Sequence, residues 1–218
     1  MFVVRKIALF GVPGAGKGTQ AKALADCLKV PHISTGDMFR ALQNGSTELA
    51  LMIKEIVSAG QLVPDELVAK MTFERLAMPD CKDGFILDGF PRTLAQAQAL
   101  QGSQYKLQAF IEICVAKNEI IRRLGGRRVC DRCHAVYHIE SLAGVLVCPS
   151  DGNKLIQRVD DLPQAIETRL DVFQANVAPV IDFYLHTGLL VSVDGQGDHA
   201  LVLRRILQSI DLLAGHTV

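Results

Sequence analysis

Short apolar runs alternate with helical stretches along most of the chain. Four of the runs have the length of buried parallel strands, namely residues 5–10, 84–88, 109–115 and 189–193. Helices are predicted between and after them, at residues 19–28, about 118–124 and about 199–213. Because strands alternate with helices, the pattern predicts an α/β fold with a mainly parallel central sheet.

Two segments interrupt this alternation. Residues 34–63 predict a small helical insertion, broken at Asn44-Gly45 and ended near Gly60. Residues 126–161 contain three clustered cysteines, the densest arginines and short β-prone pieces such as 144–147. Since 218 residues are about the length of one domain with insertions, the rest is predicted to form a single core. That core consists of residues 1–33, 64–125 and 162–218.

Composition predicts a folded protein with balanced charge. Hydrophobic residues make up 49% of the chain and charged residues 21%, which provides a sizeable core and argues against disorder. The 23 basic and 23 acidic residues leave no net charge, which excludes a generally polycationic protein. No run reaches the roughly 18 apolar residues of a membrane helix, and the first run is too short for a signal peptide. We therefore expect a cytoplasmic protein without a membrane partner.

A glycine-rich segment follows the first predicted strand. Residues 11–19, Gly-Val-Pro-Gly-Ala-Gly-Lys-Gly-Thr, match the first part of a phosphate-binding loop, Gly-x-x-x-x-Gly-Lys. Glycines let several backbone N–H groups point at one anion, and the following helix turns its positive end to the same place. Lys17 adds a full charge for the outer phosphates.

The loop departs from the usual pattern at one position. Gly18 stands where Ser or Thr usually ligates magnesium, and Thr19 comes one place later. A side-chain hydroxyl is therefore not the expected metal ligand. The sequence predicts instead that Asp88, at the end of its strand, holds Mg²⁺ through metal-bound water.

Cysteines in the second interrupting segment have the spacing of metal ligands. Two knuckles, Cys130-x-x-Cys133 and Cys148-x-x-Asp151, are separated by fourteen residues. Three thiolates and a carboxylate can surround Zn²⁺ tetrahedrally, and with no open position the metal is predicted to be structural. Asp151 occupies the place of a fourth cysteine, but His134 and His138 remain alternative ligands.

Five motifs occur in register along the chain: residues 11–20, Ser34–Arg40, Leu87–Thr93, Gly126–Arg128, and Asp160-Asp161 followed by Arg169. Together they resemble adenylate kinases, in particular the long form with a zinc-binding lid, over nearly the whole chain. The resemblance implies a P-loop NTPase-type three-layer core, an AMP-binding insertion at 34–63 and a lid at 126–161. It further implies reversible, Mg²⁺-dependent phosphoryl transfer from ATP to AMP, which yields two ADP and serves nucleotide homeostasis and purine salvage.

The resemblance also implies site residues, carried over position by position. A contact at Gln61 is expected through the backbone, because relatives often carry a charged residue there. The implied ATP-binding residues are Gly14, Ala15, Gly16, Lys17, Gly18, Thr19, Arg123, Arg127, Val136, Tyr137, Gln196 and Gly197. The implied AMP-binding residues are Thr35, Arg40, Gln61, Leu62, Val63, Gly89, Phe90, Arg92, Gln96, Arg158 and Arg169. The implied catalytic residues are Lys17, Asp88, Arg92, Arg127, Arg158 and Arg169.

Two alternatives remain open from the residues. A kinase for UMP or CMP is the nearest one, although Thr35 and Gln96 favour AMP. A zinc-ribbon nucleic-acid-binding protein is the other, but the chain has no net charge, no Trp and only three Tyr on which bases would stack. We therefore expect ATP and AMP as partners, no nucleic acid, and a monomer.

Overall fold

A computed structural model describes residues 4–42, 47–142 and 144–215 of the chain. Two sheets and the helices around them account for most of these residues. The strands are β1 (Lys6–Phe10), β2 (His32–Ser34), β3 (Phe85–Asp88), β4 (Ala109–Cys114), β5 (Arg127–Cys130), β6 (Val136–His138), β7 (Leu155–Ile156) and β8 (Leu190–Asp194). The helices are α1 (Lys17–Leu28), α2 (Thr35–Leu42), α3 (Glu48–Ser58), α4 (Asp65–Leu76), α5 (Leu94–Gly102), α6 (Lys117–Gly126), α7 (Pro163–His186) and α8 (His199–Gly215).

Five parallel strands form the central sheet in the order β2-β3-β1-β4-β8. The predicted α/β fold with a parallel sheet is confirmed, and all four predicted strands belong to this sheet. The middle strands β1, β3 and β4 are buried for most of their length, as expected for a parallel sheet with both faces covered. The carboxyl ends of β1 and β3 therefore meet at one edge, where parallel α/β proteins bind their ligands.

Helices cover both faces of the sheet and make a three-layer structure. On one face, α1, α6 and α8 contribute the buried side chains Leu24, Ile120 and Ile206. On the other face, α4, α5 and α7 contribute residues such as Leu100 and Tyr184. The phenol ring of Tyr184 stacks on Phe110 of β4 with ring centroids 3.8 Å apart. No helix in the described part of the chain is both long and apolar enough to span a bilayer.

The segment 34–63 is helical, as predicted, and consists mainly of α2 and α3. Its predicted break at Asn44-Gly45 lies outside the described residues. Gly60, just after the last helix of the segment, has a φ of +76°. A Cβ there would lie 2.8 Å from the Ala165 carbonyl oxygen and 2.9 Å from Cγ of Arg169, so a glycine is needed for this close approach to α7.

The segment 126–161 forms a second, antiparallel sheet in the order β6-β5-β7. The β-prone piece 144–147 is not a strand, which corrects that prediction. Only Val147 forms an isolated bridge, with Lys154, and the Leu155 amide donates to the Leu146 carbonyl. Val145 is 59% exposed. Apolar residues do not make a regular strand where pairing is limited to one bridge and the side chains are exposed.

Candidate active site

The phosphate-binding loop connects β1 to α1. Gly14 and Gly16 have φ values of +88° and +94°, which only glycine adopts readily, and Gly16 is the N-cap of α1. A Cβ at Gly11 would lie 2.6 Å from the Ile113 carbonyl oxygen, so a glycine is also required where the loop leaves the sheet. The loop therefore ends directly at the positive N-terminus of α1, the position in which a helix favours an anion.

Lys17 is the first residue of α1 and lies inside the loop. Its ammonium group donates to the carbonyl oxygens of Gly11 at 2.6 Å and Val12 at 3.0 Å. Burial lowers the pKa of Lys17 to about 7; Asp88 opposes this shift, and the neighbouring Arg92 and other arginines add to it. A bound phosphate would replace the carbonyl oxygens with a charged partner and favour the protonated amine.

The departure at Gly18 has a structural reason. A Cβ on Gly18 would lie 3.2 Å from Oδ2 of Asp88, so a serine or threonine there would crowd this carboxylate. The same oxygen lies 3.6 Å from Nε2 of His32, at the start of β2. Burial alone would raise the pKa of Asp88, but His32, Lys17 and Arg92 hold it below its ordinary value. A charged carboxylate beside the phosphate loop is the type of oxygen ligand that Mg²⁺ prefers.

A cavity of about 750 Å³ opens above the phosphate loop. Of the residues predicted to bind ATP, Ala15, Gln196 and Gly197 do not line this cavity, whereas the others do. All six arginines predicted for the site line it, together with Lys17 and Asp88. These arginines are Arg40, Arg92, Arg123, Arg127, Arg158 and Arg169.

Asp161 organises two of these arginines. Its carboxylate is fully buried and accepts from Nε of Arg127 at 2.6 Å and from Nη2 of the same side chain. Nη1 of Arg169 lies 3.1 Å from Asp161 and donates to the Asp160 carbonyl at 2.7 Å. An arginine on β5 and an arginine on α7 therefore share one buried carboxylate, which fixes the positions of both guanidinium groups.

Arg158 differs from its neighbours. Within the described residues its side chain has no carboxylate within 4 Å and makes no hydrogen bond. Burial lowers the pKa of Arg158 to about 10, and Arg40 and Arg127 add to this effect. A half-buried cation among like charges is destabilised until an anion joins it.

A smaller cavity of about 120 Å³ adjoins the first one beneath α2. It contains the predicted AMP residues with two exceptions: Arg158 lines the larger cavity only, and Phe90 lines neither. The Phe90 ring is buried in the core and packs edge-on against Phe73 with centroids 6.3 Å apart. The AMP residues that line this cavity are Thr35, Arg40, Gln61, Leu62, Val63, Gly89, Arg92, Gln96 and Arg169.

Asp65 is a site residue that the sequence reasoning missed. Its two carboxylate oxygens accept from Thr93 Oγ1 and Gln96 Nε2, both at 2.7 Å. The Gln96 amide oxygen in turn accepts from the Arg92 backbone N–H at 2.7 Å. This chain of hydrogen bonds holds Gln96 in the wall of the smaller cavity. The only signal in the sequence was a carboxylate directly after Pro64, which is also an ordinary start for a helix.

Thr35 and Arg92 converge on the same glycine. The Thr35 hydroxyl donates to the Gly89 carbonyl at 3.0 Å, and Nε of Arg92 donates to that oxygen at 2.8 Å. A Cβ on Gly89 would lie 2.7 Å from the hydroxyl and 2.8 Å from the guanidinium, so no larger residue fits. Burial lowers the pKa of Arg92 below its ordinary value. The glycine thus lets two polar side chains meet in one wall of the smaller cavity.

The three cysteines and Asp151 come together in the second sheet. One sulfur or oxygen atom from each lies within 4.8 Å of the others. Two sulfur ligands of tetrahedral zinc lie about 3.8 Å apart, and here the Cys133–Cys148 Sγ separation is 3.6 Å. Both Asp151 carboxylate oxygens are 3.4 Å from Cys130 Sγ. The donor set therefore fits a zinc ion.

Neither alternative histidine belongs to this group. His138 points away, with Nε2 3.1 Å from the Arg122 carbonyl oxygen, and His134 lines the larger cavity. The Asn153 amide, 3.0 Å from Oδ1 of Asp151, holds the pKa of that carboxyl near 2. A charged carboxylate is thus available as the fourth ligand. Backbone N–H groups of Arg132 and Cys133 point at Cys130 Sγ at 3.4 Å, which stabilises a thiolate.

Comparison with known proteins gives one consistent family. A model of the adenylate kinase family matches residues 9–189. The adenylate kinase of Carboxydothermus hydrogenoformans is 47% identical over 198 residues, which are 87% of this chain and 92% of that protein. The adenylate kinase of Lysinibacillus sphaericus is 45% identical over 95% of this chain and 96% of its own length. That of Methanocella arvoryzae is 44% identical over 96% of this chain and its full length.

Proposed function

The chain belongs to the adenylate kinase family, and from this premise we propose which of its residues carry out the reaction of that family. The reaction is the reversible, Mg²⁺-dependent transfer of the terminal phosphoryl group of ATP to AMP, which gives two ADP. The chain is accordingly a phosphotransferase that binds both nucleotides. Each part of this reaction is assigned to individual side chains.

One observation carries the assignment. Lys17 and six arginines line a single cavity in a chain that has no net charge. ATP and AMP together carry roughly six negative charges near neutral pH, of which magnesium offsets about two. A concentration of fixed cations in one place is therefore matched to two polyanions that meet end to end. Arginine suits this task because its planar fork binds two phosphate oxygens at once.

The ATP phosphates occupy the loop at residues 14–19 in this proposal. Lys17 exchanges its two carbonyl partners for phosphate oxygens, and Arg123 and Arg127 approach from α6 and β5. Asp88 would hold the magnesium ion that accompanies ATP. When bound, magnesium neutralises charge on the phosphates. Val136 and Tyr137, which line the larger cavity, border the ATP base. The backbone of Gln196 and Gly197, which do not line this cavity, is assigned to the same base.

The AMP phosphate occupies the space between the two cavities. Arg40, Arg92, Arg158 and Arg169 surround it, and Thr35, Gly89 and Gln96 form the wall against the nucleoside. The backbone of residues 61–63 borders the adenine. Phe90 supports this wall from the core and does not contact AMP with its ring. The acceptor is already an anion, so no general base is required, and catalysis consists of alignment and charge stabilisation.

The two interrupting segments act as moving parts in this proposal. Residues 34–63 bind the monophosphate, and residues 126–161 form a lid over the triphosphate, with the remainder as core. Gly125-Gly126 at the end of α6 is the lid hinge. Closure excludes water and prevents wasteful hydrolysis of ATP. Support comes from the placement of Arg40 in one segment and of Arg127 and Arg158 in the other, because the arginine set is complete only when both segments are near the core.

Zinc stabilises the lid in this proposal. Cys130, Cys133, Cys148 and Asp151 are the ligands, and they leave no position open for water. Among the described residues of the lid, the buried hydrophobic cluster has four members, two of which are these cysteines. So small a core does not fold stably without a crosslink or a metal. The ion is therefore assigned a structural role and no part in phosphoryl transfer.

We further assign the chain to the cytoplasm as a monomer with neither a nucleic acid nor a membrane as its partner. Support comes from composition. A protein that binds nucleic acid through its phosphates needs excess positive charge and aromatic stacking surfaces. This chain has no net charge and no Trp.

The test is a coupled assay of ADP formation from ATP with AMP, UMP or CMP, or with no acceptor. The expected result is two ADP per ATP with AMP and a low rate otherwise. Lys17→Ala is expected to lower kcat/KM for AMP and ATP by about 10²-fold or more, as the loss of one phosphate-stabilising charge does. Lys82→Ala, at an exposed position outside both cavities, is the matched control. Preference for CMP or UMP, or equal rates without acceptor, would overturn the assignment.

A further inference from the structure

Tyr137, on β6, contacts the metal cluster and lines the larger cavity. The metal cluster consists of Cys130, Cys133, Cys148 and Asp151. The phenol oxygen of Tyr137 lies 3.4 Å from Cys148 Sγ and 3.0 Å from Ser150 Oγ, both within hydrogen-bond distance. The side chain also packs against the buried residues around this cluster. One residue therefore contacts a candidate zinc ligand and borders the candidate nucleotide site.

The chemistry of a zinc-bound cysteine fixes the direction of these hydrogen bonds. A cysteine binds zinc as a thiolate, which has no proton and can only accept. The Tyr137 hydroxyl therefore donates to Cys148, and its oxygen accepts from the Ser150 hydroxyl. Outer hydrogen bonds of this kind orient the metal ligands, and their loss typically costs about 10–100-fold in metal affinity.

The chain around Tyr137 forms part of the cavity wall. All residues from 134 to 138 line the larger cavity, and they directly follow Cys133 of the metal cluster. The Cys130 amide donates to the Ala135 carbonyl at 2.9 Å. The backbone thus anchors the start of this wall to the first knuckle, and the Tyr137 side chain anchors its other end to the second knuckle.

Tyr137 differs from its neighbours in this wall. Among the described side chains at residues 134–138, only that of Tyr137 hydrogen-bonds a residue of the metal cluster. The His138 ring instead has Nε2 3.1 Å from the Arg122 carbonyl oxygen on α6. A change at the second knuckle can therefore reach the cavity wall through the hydroxyl and the rigid ring of Tyr137.

We propose that Tyr137 is a positioning residue that links the metal cluster to the donor nucleotide: its hydrogen bond to Cys148 holds the cavity wall at residues 134–138 in the arrangement that ATP contacts. The inference rests on the proposed function, because it needs zinc at the cluster and ATP in the larger cavity. Coupling between two binding sites is reciprocal, so a nucleotide that contacts this wall must in turn change the hydrogen bond at Cys148. Tyr137 does not line the smaller cavity, and its effect is therefore confined to ATP.

The kinetic test compares zinc-loaded Tyr137→Phe and Tyr105→Phe with the wild-type protein. Phenylalanine keeps the ring and removes only the hydroxyl group. Tyr105 is the matched control, because it lies outside both cavities and its hydroxyl accepts from the Gln104 amide at 3.1 Å. The measurements are KM for ATP, KM for AMP, kcat, the zinc content and the melting temperature.

KM for ATP should rise about fivefold in Tyr137→Phe, the effect of one lost hydrogen bond in the wall. KM for AMP and kcat should stay within about twofold. The affinity for zinc, measured by competition with a chelator, should fall about tenfold or more. Tyr105→Phe should match the wild type in all of these. A merely structural role would raise both KM values or lower kcat together with the melting temperature, and that result would overturn the proposal.

A spectroscopic test follows the hydrogen bond itself. Co²⁺ accepts the tetrahedral thiolate site of zinc, and the energy of its sulfur-to-metal charge-transfer band depends on hydrogen bonds to the sulfur. ATP with Mg²⁺ and without AMP should shift this band in the cobalt-loaded wild type and in Tyr105→Phe. The band of Tyr137→Phe should already differ without ATP and should not shift when ATP is added. A wild-type band that ATP leaves unchanged, or an equal shift in Tyr137→Phe, would contradict the link.

The proposed function and the role of Tyr137 fail in different ways. If the wild-type protein forms no ADP from ATP and AMP, the proposed function is wrong. If the purified protein contains no zinc, the assignment of the metal is wrong, and the role of Tyr137 with it. If the wild-type protein is active and zinc-loaded, but Tyr137→Phe keeps the wild-type KM for ATP or the ATP-induced band shift, only the role of Tyr137 is wrong.

Discussion

Arg127 and Asp161 pair through two guanidinium nitrogens and both carboxylate oxygens, and the Asp161 side chain is completely buried. Arg127 lies at the start of the segment 126–161, the proposed lid, and Asp161 lies at its end. The pair therefore joins the two ends of this segment. Because Arg169 contacts the same carboxylate, one side chain sets the positions of two cavity cations.

Asp161→Asn should weaken both of these contacts, since an amide offers one neutral acceptor in place of two charged ones. We expect kcat/KM to fall about 10²-fold through misplacement of Arg127 and Arg169. The free energy of unfolding should fall by about 3–5 kcal/mol, as for a broken buried ion pair. Steady-state kinetics and urea denaturation measure the two effects. Asp171→Asn, at an exposed position on α7, should change neither.

Gly125 and Gly126 are adjacent at the end of α6, and their replacement by alanine should change the free energy of unfolding in opposite directions. A Cβ on Gly126 would collide with the ring of His138, which bonds the Arg122 carbonyl, whereas a Cβ on Gly125 meets nothing within 4 Å. Gly126→Ala should lower the free energy of unfolding by about 1–3 kcal/mol through overpacking. Gly125→Ala should raise it by up to about 1 kcal/mol through helix propensity. Equal shifts in thermal unfolding would contradict the close approach of His138.

We expect full activity to require glycine at position 18. Gly18→Ser restores the usual order of a phosphate loop, but its Cβ would lie 3.2 Å from Asp88 Oδ2. We expect kcat to fall about tenfold and the Mg²⁺ concentration for half-maximal rate to rise, because the carboxylate is displaced by a few tenths of an ångström. Gly102→Ser, with open space around its Cβ, is the control. A serine variant with unchanged Mg²⁺ dependence would show that Asp88 is not crowded.

Proton uptake should accompany ATP binding at mildly alkaline pH. Burial lowers the pKa of Lys17 to about 7 in the free protein, so most of these amines are neutral at a pH of about 8. Phosphate raises the pKa, and binding therefore takes up close to one proton. Calorimetric titration in two buffers of different ionisation enthalpy should give different heats at about pH 8 and similar heats at about pH 6. Lys17→Met should remove the difference.

The same lowered pKa should make stability depend on pH. The unfolded chain binds the Lys17 proton up to about pH 10.5, whereas the folded chain releases it near pH 7. The destabilisation by the buried charge is therefore complete below pH 7 and is lost as the pH rises from 7 to 10.5. Relative to Lys17→Met, the free energy of unfolding of the wild-type protein should increase over that range. A constant difference between the two proteins would contradict the lowered pKa.

Metal analysis should find close to one zinc per chain, and the zinc should be lost in Cys130→Ser. Loss of the ion should lower the temperature at which the lid is cut by protease, because its own core is too small to fold alone. Cys27→Ser, an exposed cysteine on α1 outside the cluster, should keep both the zinc and the protease resistance. A metal-free protein of equal stability would exclude the structural role.

Sequence patterns predicted those parts of the fold that depend on neighbouring residues. The phosphate loop was predictable because its glycines, Lys17 and the flanking strand and helix are contiguous. The strand β2 has only three residues, too few for a periodic signal, and it exists because it pairs with β3. The β-prone piece 144–147 forms a single β-bridge and not a strand, since apolar character does not reveal how far pairing with a neighbouring segment extends.

The site was predictable as a set of residues but not as a set of contacts. Asp65 could not be found, because its partners Thr93 and Gln96 lie 28 and 31 residues away and meet it only in the folded chain. The sequence shows that Gly18 replaces the usual Ser or Thr of a phosphate loop but gives no reason for it. The reason is the short distance between Gly18 and Asp88, which is seen only in the folded chain. Phe90 lies in a correctly predicted motif, yet its ring packs in the core, because adjacent residues at the end of a strand point to opposite faces.

The small buried cluster of the segment 126–161 limits how this protein can be engineered for heat resistance. Two of the four members of this cluster, Cys130 and Cys148, belong to the group that fits a metal ion, so larger apolar residues there would destroy that group. Alanine at Gly144 or Gly152 would not stabilise the segment either, because the φ values of +81° and +72° would strain its backbone. Better packing of the central core should therefore raise the melting temperature of the core more than that of the segment 126–161, and the working range of such a variant would then be set by this segment.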